Sequence, residues 1–219
     1  RAVIAGARAR YEIPFGSVAR ALNQGQEVPA LRWASVTGRQ GRARAGCAVL
    51  NDSKHGYALD GSMLSLTLIR ASYDPDPLPE FREHTMRMAV VPHAAQAPIA
   101  TLVHLGAAFN HPLQVVNTDV HDGALPARLQ GVRIAQDNIV LTSLRQAHDG
   151  GGLVAHLLET QGRPTRATVA FAPELFGRVT TAREIDFLEQ PAPASQARRA
   201  GNGFTVPVPA HGIACVQLT

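Results

Sequence analysis

The chain has 219 residues, of which 45% are hydrophobic and 17% charged, and this composition excludes an intrinsically disordered protein. The 21 basic and 17 acidic residues give a net charge of +4, but the basic residues are spread along the chain and only 5% of all residues are aromatic, which argues against a nucleic-acid-binding protein. No apolar run approaches the roughly 18 residues of a membrane span, and no amphipathic basic helix is evident, so we expect no membrane role.

Short strands separated by turn residues dominate the first part of the sequence. Alternating or apolar runs predict strands at residues 11–15, 28–37, 47–50, 57–59 and 63–69. We expect Gly16 to close the first of these strands, and we place turns at residues 38–41 and at Asp60-Gly61. The proline-rich segment 74–79 excludes regular structure, because proline lacks an N–H and restricts the residue before it.

One helix is predicted, between two regions of strands. Residues 84–91 alternate again, with Met86, Met88 and Val90 on one face. The helix is expected over residues 98–109, since Pro98 suits the first helical position and apolar residues follow at helical spacing. Asn110 and Pro112 should end it.

After the helix, the pattern returns to short strands with turn clusters between them, which is typical of a β-sandwich. These strands are predicted at residues 132–135, 139–144, 153–159, 167–171, 178–181, 204–208 and 213–218. Residues 149–152 form the clearest turn, and residues 190–200 look most like a linker.

No catalytic or metal-binding motif is evident. Cys47 and Cys215 each lie in a run of small apolar residues and are expected to be buried in strands, and they could also pair in a disulfide. Without a CxxC pair there is no thiolate zinc site, and the nine histidines show no close ligand spacing. No GxSxG segment marks a nucleophile. We therefore predict neither catalytic residues nor metal ligands in this chain.

The polar segment at residues 51–57 is the strongest candidate for ligand binding. It contains Asp52, Lys54 and Tyr57 and follows a buried strand, and strand-end loops are where scaffolds commonly place binding groups. Alternatively, Asp52 accepts backbone N–H groups in a tight polar corner and pairs with Lys54.

Arg70 and Trp33 are further candidates. Arg70 follows the strand predicted at residues 63–69, and its guanidinium could bind two hydroxyl or carboxylate oxygens of a ligand. The alternative for Arg70 is an ion pair with a loop aspartate such as Asp74. Trp33 is the only tryptophan; it could stack on a sugar, although a lone tryptophan on a strand more often belongs to the core.

Two of these segments resemble a known family. Residues 29–34 (PALRWA) and 48–57 (AVLNDSKHGY) resemble the C-terminal β-rich part of the family 38 glycoside hydrolases, the α-mannosidases, with His55 in place of the usual tyrosine. Later segments resemble the family in the same order, at residues 64–77, 109–113, 139–145, 149–153 and 184–189. The resemblance implies a chain that is mainly all-β. Residues 1–112 would form a portion of a large mutarotase-like β-sandwich, and residues 113–219 would form a smaller C-terminal β-sandwich.

The resemblance also implies a function. In that family an N-terminal α/β barrel holds the zinc ligands and the nucleophilic aspartate, and this chain contains neither motif. We therefore expect the C-terminal region of a retaining, zinc-dependent α-mannosidase, inactive by itself, with Zn2+ bound outside this chain. The chain would support the barrel and contribute to the rim of the sugar pocket through Arg70, Asp52, Lys54 and Tyr57.

Further expectations concern partners and location. The expected partners are the catalytic barrel of the same polypeptide, an α-mannoside and, through exposed strand edges, a second copy of the chain. The first residue, Arg1, favours a processed product or a piece of a longer protein. Few cysteines and no leader favour the cytoplasm.

Two other functions remain open from the sequence. A stand-alone carbohydrate-binding module would use Trp33 and Tyr57 to stack on sugars. A mutarotase-like epimerase would need a histidine and a glutamate in one pocket, for which the chain offers His84 and Glu83 without a convincing spacing.

Overall fold

The computed structural model describes residues 5–20, 26–71, 73–74 and 80–219, and it confirms a mainly β chain. Contacts divide the chain into an N-terminal unit, Arg1–Ala97 with Thr101–Gln114, and a C-terminal unit, Pro98–Ala100 with Val115–Thr219. The domain boundary predicted at residues 112 and 113 stays a prediction. Neither helix in the described residues is long and apolar enough to cross a membrane.

The first part of the chain forms two antiparallel sheets and a helix. Its elements in chain order are β1 (Ala5–Ile13), β2 (Gly16–Arg20), β3 (Val28–Pro29), β4 (Trp33–Gln40), β5 (Ala43–Asn51), β6 (Gly56–Asp60), β7 (Met63–Thr67), β8 (Met88–Ala94) and helix α1 (Ile99–Asn110). Among the described residues, one sheet has the strand order β2-β1-β4-β5-β8 and the other the order β3-β6-β7.

The two faces of the larger sheet bury different partners. Side chains alternate between the two faces along a strand. One face of the larger sheet therefore presents the apolar residues Ala9, Tyr11, Ala34 and Val36, which form one buried cluster with Tyr57 and Leu59 of β6. The opposite face carries Trp33, against which α1 packs. Gly106 permits this close approach, since a Cβ at that position would lie 2.9 Å from Trp33 Cδ1.

The C-terminal unit is a β-sandwich, as predicted. Its elements are β9 (Val132–Ile134), β10 (Ile139–Gln146), β11 (Leu153–Glu159), β12 (Thr165–Phe171), α2 (Pro173–Phe176), β13 (Ala182–Ile185), β14 (Arg198–Arg199), β15 (Gly203–Val208) and β16 (Ile213–Leu218). Its described strands form two antiparallel sheets, β10-β11-β16-β13 and β14-β15-β12-β9. Alternate residues of both sheets fill one core, including Leu157, Val216, Val169 and Phe204.

Three turns predicted in the N-terminal unit are displaced. β1 ends at Ile13, and Gly16 begins β2 because Phe15, with φ 56°, already turns the chain. β4 continues through Gly38, and its two-residue turn to β5 lies at residues 41–42, where Gly41 has φ 62°. Asp60 pairs with Met63, so the next turn lies one residue later than expected.

Some predicted elements differ more strongly. The strand predicted at 84–91 begins at Met88, and the strand predicted at 178–181 begins only at Ala182. Residues 190–200 are not a linker: they include β14, and Ala192 N–H donates to Glu184 O. Within the proline-rich segment, residues 75–79 lie outside the described residues.

Candidate functional site

Asn51 shapes the loop that carries Asp52 and Lys54. Its Oδ1 accepts the backbone N–H groups of Ser53 (3.0 Å) and Lys54 (2.6 Å). Its Nδ2 donates to Leu31 O (2.9 Å) and to Tyr57 Oη (2.6 Å). Because Asn51 is only 1% exposed, these bonds satisfy a buried amide and fix the turn after β5. The polar corner that we attributed to Asp52 is therefore made by its neighbour.

Asp52 is held by Arg87. Its Oδ2 accepts from Arg87 Nε at 2.9 Å, and its Oδ1 accepts the Arg87 backbone N–H at 3.3 Å. The side-chain hydrogen bond from Arg87 is the main reason that the pKa of Asp52 lies below its usual value. Arg87 also lies over the Phe109 ring, 5.4 Å from its centroid, so Arg87 links the loop after β5 to the end of α1. The alternative pair of Asp52 with Lys54 is not formed among the described residues.

Tyr57 and Trp33 are fully buried, each with 0% exposure. The Tyr57 ring packs edge-on against Tyr11, with centroids 6.2 Å apart. Burial raises the pKa of Tyr57 to about 12, against the effect of the hydrogen bond from Asn51. Tyr57 therefore offers no exposed surface to a ligand in this structure. Since neither ring presents a face on which a sugar could stack, their burial counts against the alternative of a stand-alone carbohydrate-binding module.

Arg70 and Lys54 flank the same end of the β6–β7 hairpin. Gly56 pairs with Thr67, so the segments before β6 and after β7 leave the hairpin together. Arg70 is exposed and lies three residues beyond β7, not directly at the strand end as expected. Within the described residues neither Arg70 nor Lys54 takes part in an ion pair, so the alternative pair of Arg70 with Asp74 is not formed. Both side chains therefore remain candidates for contact with a ligand.

A further ion pair, between Glu12 and Arg32, lies beside this loop and was not predicted from the sequence. Glu12 is 3% exposed, and its carboxylate accepts from the Arg32 backbone N–H (2.8 Å) and from Arg32 Nη2 (2.5 Å). Asn51 N–H donates to Arg32 O, which connects the pair to the loop. An acidic residue between the apolar neighbours Tyr11 and Ile13 was the available signal, because a buried carboxylate requires a partner.

The histidines do not form a metal centre. In the described part of the chain, no group of three or more His, Cys, Asp or Glu side chains could hold a metal ion. These residues therefore do not fit the zinc ion that the resemblance implies, and no chemical step through it is assigned to them. His84 Nε2 lies 2.8 Å from Glu80 O and 3.4 Å from Glu80 Oε2, so its partner is Glu80 and not the Glu83 of the epimerase alternative.

Two family models match the chain, one in each unit. The model described as "Glycosyl hydrolases family 38 C-terminal domain" matches residues 2–78. The model described as "Glycosyl hydrolases family 38 C-terminal beta sandwich domain" matches residues 138–213. Together they cover more than half of the chain.

Curated relatives point to the same family. Alpha-mannosidase 2C1 of Homo sapiens is 28% identical over 201 residues, which is 87% of this chain and 18% of the relative. The Mus musculus protein of the same name is 29% identical over 166 residues, covering 71% of this chain and 15% of the relative. Alpha-mannosidase G of Dictyostelium discoideum is 25% identical over 166 residues, covering 72% and 15%. The chain thus spans less than a fifth of the length of these relatives.

Solved structures share the fold. An alpha-mannosidase from Enterococcus faecalis V583 superposes with a TM-score of 0.74 at 14% identity, over 97% of this chain and 24% of that one. A family 38 glycosyl hydrolase from Enterococcus faecalis gives a TM-score of 0.76 at 14% identity, over 99% and 25%. With both domain models, these relatives and this fold in agreement, the chain belongs to glycosyl hydrolase family 38, of which it forms the C-terminal domains.

Proposed function

We propose that the whole protein containing this chain hydrolyses α-mannosides and that this chain is its non-catalytic C-terminal region. The observation that carries the proposal is the match of both units to family 38 domains whose relatives are named α-mannosidases. The state of the buried carboxylates supports it: among the described residues, Glu12 and Glu159 are buried, and both are engaged in internal hydrogen bonds. The catalytic carboxylates and the zinc site would therefore come from the rest of the protein.

The reaction itself is tested on the whole protein. We expect hydrolysis of 4-nitrophenyl α-mannoside, with α-mannose as the first product seen by NMR, because a retaining enzyme uses one carboxylate as nucleophile and a second as acid and base. A chelator should remove the activity, and zinc should restore it. The 219-residue chain alone should show no turnover. First release of β-mannose, or turnover by the chain alone, would contradict the proposal.

A finer part of the proposal concerns the rim of the sugar pocket. Arg70 and Lys54 are two cations at the open end of the β6–β7 hairpin, while Asp52 binds the loop to Arg87 and Tyr57 supports the loop from the core through Asn51. If Arg70 contacts the bound sugar, Arg70→Ala should raise KM about 5- to 20-fold and change kcat much less, since a lost ground-state contact weakens binding. The matched control is Arg133→Ala, which removes an exposed arginine from β9. Equal kinetics for the two variants would reject a rim role for Arg70.

A further inference from the structure

One end of the larger sheet of the N-terminal unit carries like charges on a single face. Arg39 lies directly opposite Arg44 in the β4–β5 ladder, and Arg8 lies opposite Thr37 in the β1–β4 ladder. Directly opposed residues share a face, and so do residues two apart in a strand. Arg8, Arg39 and Arg44 therefore project from the same face of the sheet.

The part of the chain that the structure describes does not neutralise these charges. Like charges directly opposite each other in neighbouring strands destabilise a sheet. Within the described residues none of the three arginines takes part in an ion pair, whereas Arg32 and Arg87 each bind a carboxylate. Glu12, which lies on the same face as Arg8, is already occupied by Arg32. The repulsion is thus retained in the folded chain, and a bound anion would relieve it.

The three arginines line an open groove of about 400 Å3 together with Thr37, Gly38 and Gly6, and none of its described lining residues is acidic. The groove lies at a β-bulge: Ala5 pairs with Arg39 and Arg8 with Thr37, so two residues of β1 oppose Gly38 alone. Gly6 adopts φ 61° there, and a Cβ at Gly6 would meet no atom of the described residues within 4 Å. The extra residue of a bulge is left out of the ladder. The groove therefore has room for a ligand, and its volume falls within the range of small-molecule sites.

We propose that this groove binds a phosphoryl group. Guanidinium groups match phosphate oxygens in a bidentate geometry, and such charge-assisted hydrogen bonds are strong. A dianion fits better than a single carboxylate, because one carboxylate would neutralise only one of three convergent cations. The group could arrive as free phosphate or as the phosphate of a phosphorylated sugar, and the recognition chemistry is the same for both. The inference does not depend on mannoside hydrolysis.

The test is calorimetric titration of the full chain with inorganic phosphate in about 150 mM salt, at which interactions between exposed charges farther apart than about 8 Å are largely screened. We expect saturable binding to one site with a Kd of about 0.1–1 mM. The double variant Arg39→Gln/Arg44→Gln should weaken binding at least about 10-fold, the loss of more than 1.4 kcal/mol. The control, Arg42→Gln, removes one positive charge, half the change of the double variant, from the turn of the same hairpin, outside the groove, and should weaken binding less than about 2-fold.

Two further measurements complete the test. Titration with mannose 6-phosphate, with mannose as control, separates the sources: tighter binding than inorganic phosphate indicates a phosphorylated sugar, and equal binding indicates that phosphate suffices. Without ligand, Arg44→Gln should raise the unfolding midpoint by about 1–3 °C, since it removes the repulsion; this also shows that the variant is folded. Absence of saturable phosphate binding, or an equal loss in Arg42→Gln, would overturn the proposal. If a polyglutamate peptide bound to the groove but phosphate did not, the phosphoryl group would be the wrong ligand and an acidic protein segment would be the right one.

Discussion

The buried carboxylate of Glu159 holds two turns of the C-terminal unit together. It is 1% exposed at the end of β11, and it accepts hydrogen bonds from Gln161 N (2.7 Å), Gly162 N (2.7 Å), Arg163 N (3.1 Å), His211 N (2.9 Å) and Asn138 Nδ2 (2.8 Å). The turn after β11 and the turn before β16 are therefore held by one side chain. Burial alone would raise the pKa of Glu159. The hydrogen bonds from these donors together lower it by more than burial raises it, so the pKa of Glu159 lies below its usual value.

We expect Glu159→Gln to destabilise the C-terminal unit by about 2–3 kcal/mol at pH 7, because the amide replaces a charged acceptor and places N–H groups against N–H donors. The effect should depend on pH. A carboxylate whose pKa is lowered by folding stabilises above its unfolded pKa, here near 4.5, and this stabilisation is lost as the pH falls through the lower folded value. Urea denaturation between pH 7 and pH 3 should therefore show the difference between variant and parent shrinking in acid.

The control for this measurement is Glu174→Gln, which changes an exposed glutamate of α2 in the same unit. It should leave the free energy of unfolding within about 0.5 kcal/mol of the parent at every pH. A penalty for Glu159→Gln that stays constant down to pH 3 would show that shape alone, and not the carboxylate charge, matters at this position.

At the scale of elements, the packing of helix α1 on strand β4 depends on the close approach of Gly106 to Trp33. A Cβ at Gly106 would lie 2.9 Å from Trp33 Cδ1 and 3.3 Å from Arg32 Cβ. Gly106→Val should therefore push the helix away from the sheet and cost about 1–3 kcal/mol, the usual range for overpacking. Because Trp33 is the only tryptophan and is fully buried, its fluorescence reports this contact directly, and we expect a shift to longer wavelength.

Ala108→Val is the matched control, because it adds a β-branched residue to the exposed side of the same helix. Its tryptophan emission should stay that of the parent, and only a small loss from helix propensity is expected. If both variants left the emission unchanged, tight packing at Gly106 would not be what holds α1 on the sheet.

The same elements show what could be predicted from sequence. Alternation identified most strands and helical spacing identified the helix, because periodicity reflects which side chains are buried. Turn positions were harder: Gly38 continues β4, whereas Gly41, with φ 62°, makes the turn, and nothing local distinguishes the two glycines. A glycine permits a left-handed conformation but does not require it.

The candidate site likewise contains one contact that a local sequence rule predicts and others that no local rule predicts. The turn at Asn51 follows a local rule, since asparagine commonly bonds the backbone two residues later. The pair of Asp52 with Arg87 joins residues 35 positions apart, and the pair of Glu12 with Arg32 joins residues 20 apart. Such partners depend on which strand ends meet in space, so a local pattern that suggested Lys54 for Asp52 could not reveal them.

At the scale of the whole molecule, each unit buries its own apolar cluster. In the N-terminal unit Tyr11, Tyr57 and Leu59 belong to one cluster; in the C-terminal unit Leu157 and Phe204 belong to another. The two family models also fall in separate units. Independent cores of this kind are a defining property of domains that can fold by themselves.

We therefore expect calorimetry of the full chain to show two unfolding transitions, one for each unit. Glu159→Gln should lower only one midpoint and Gly106→Val only the other, each by on the order of 10 °C, since about 1 kcal/mol corresponds to 4–8 °C in a unit of roughly 100 residues. The double variant should combine the two shifts without interaction, because Glu159 and Gly106 share no contact partner among the described residues and such sites contribute additively. A single transition that both variants displace equally would instead mean that the two clusters unfold as one cooperative structure, and the chain would then be one folding unit despite its two separate cores.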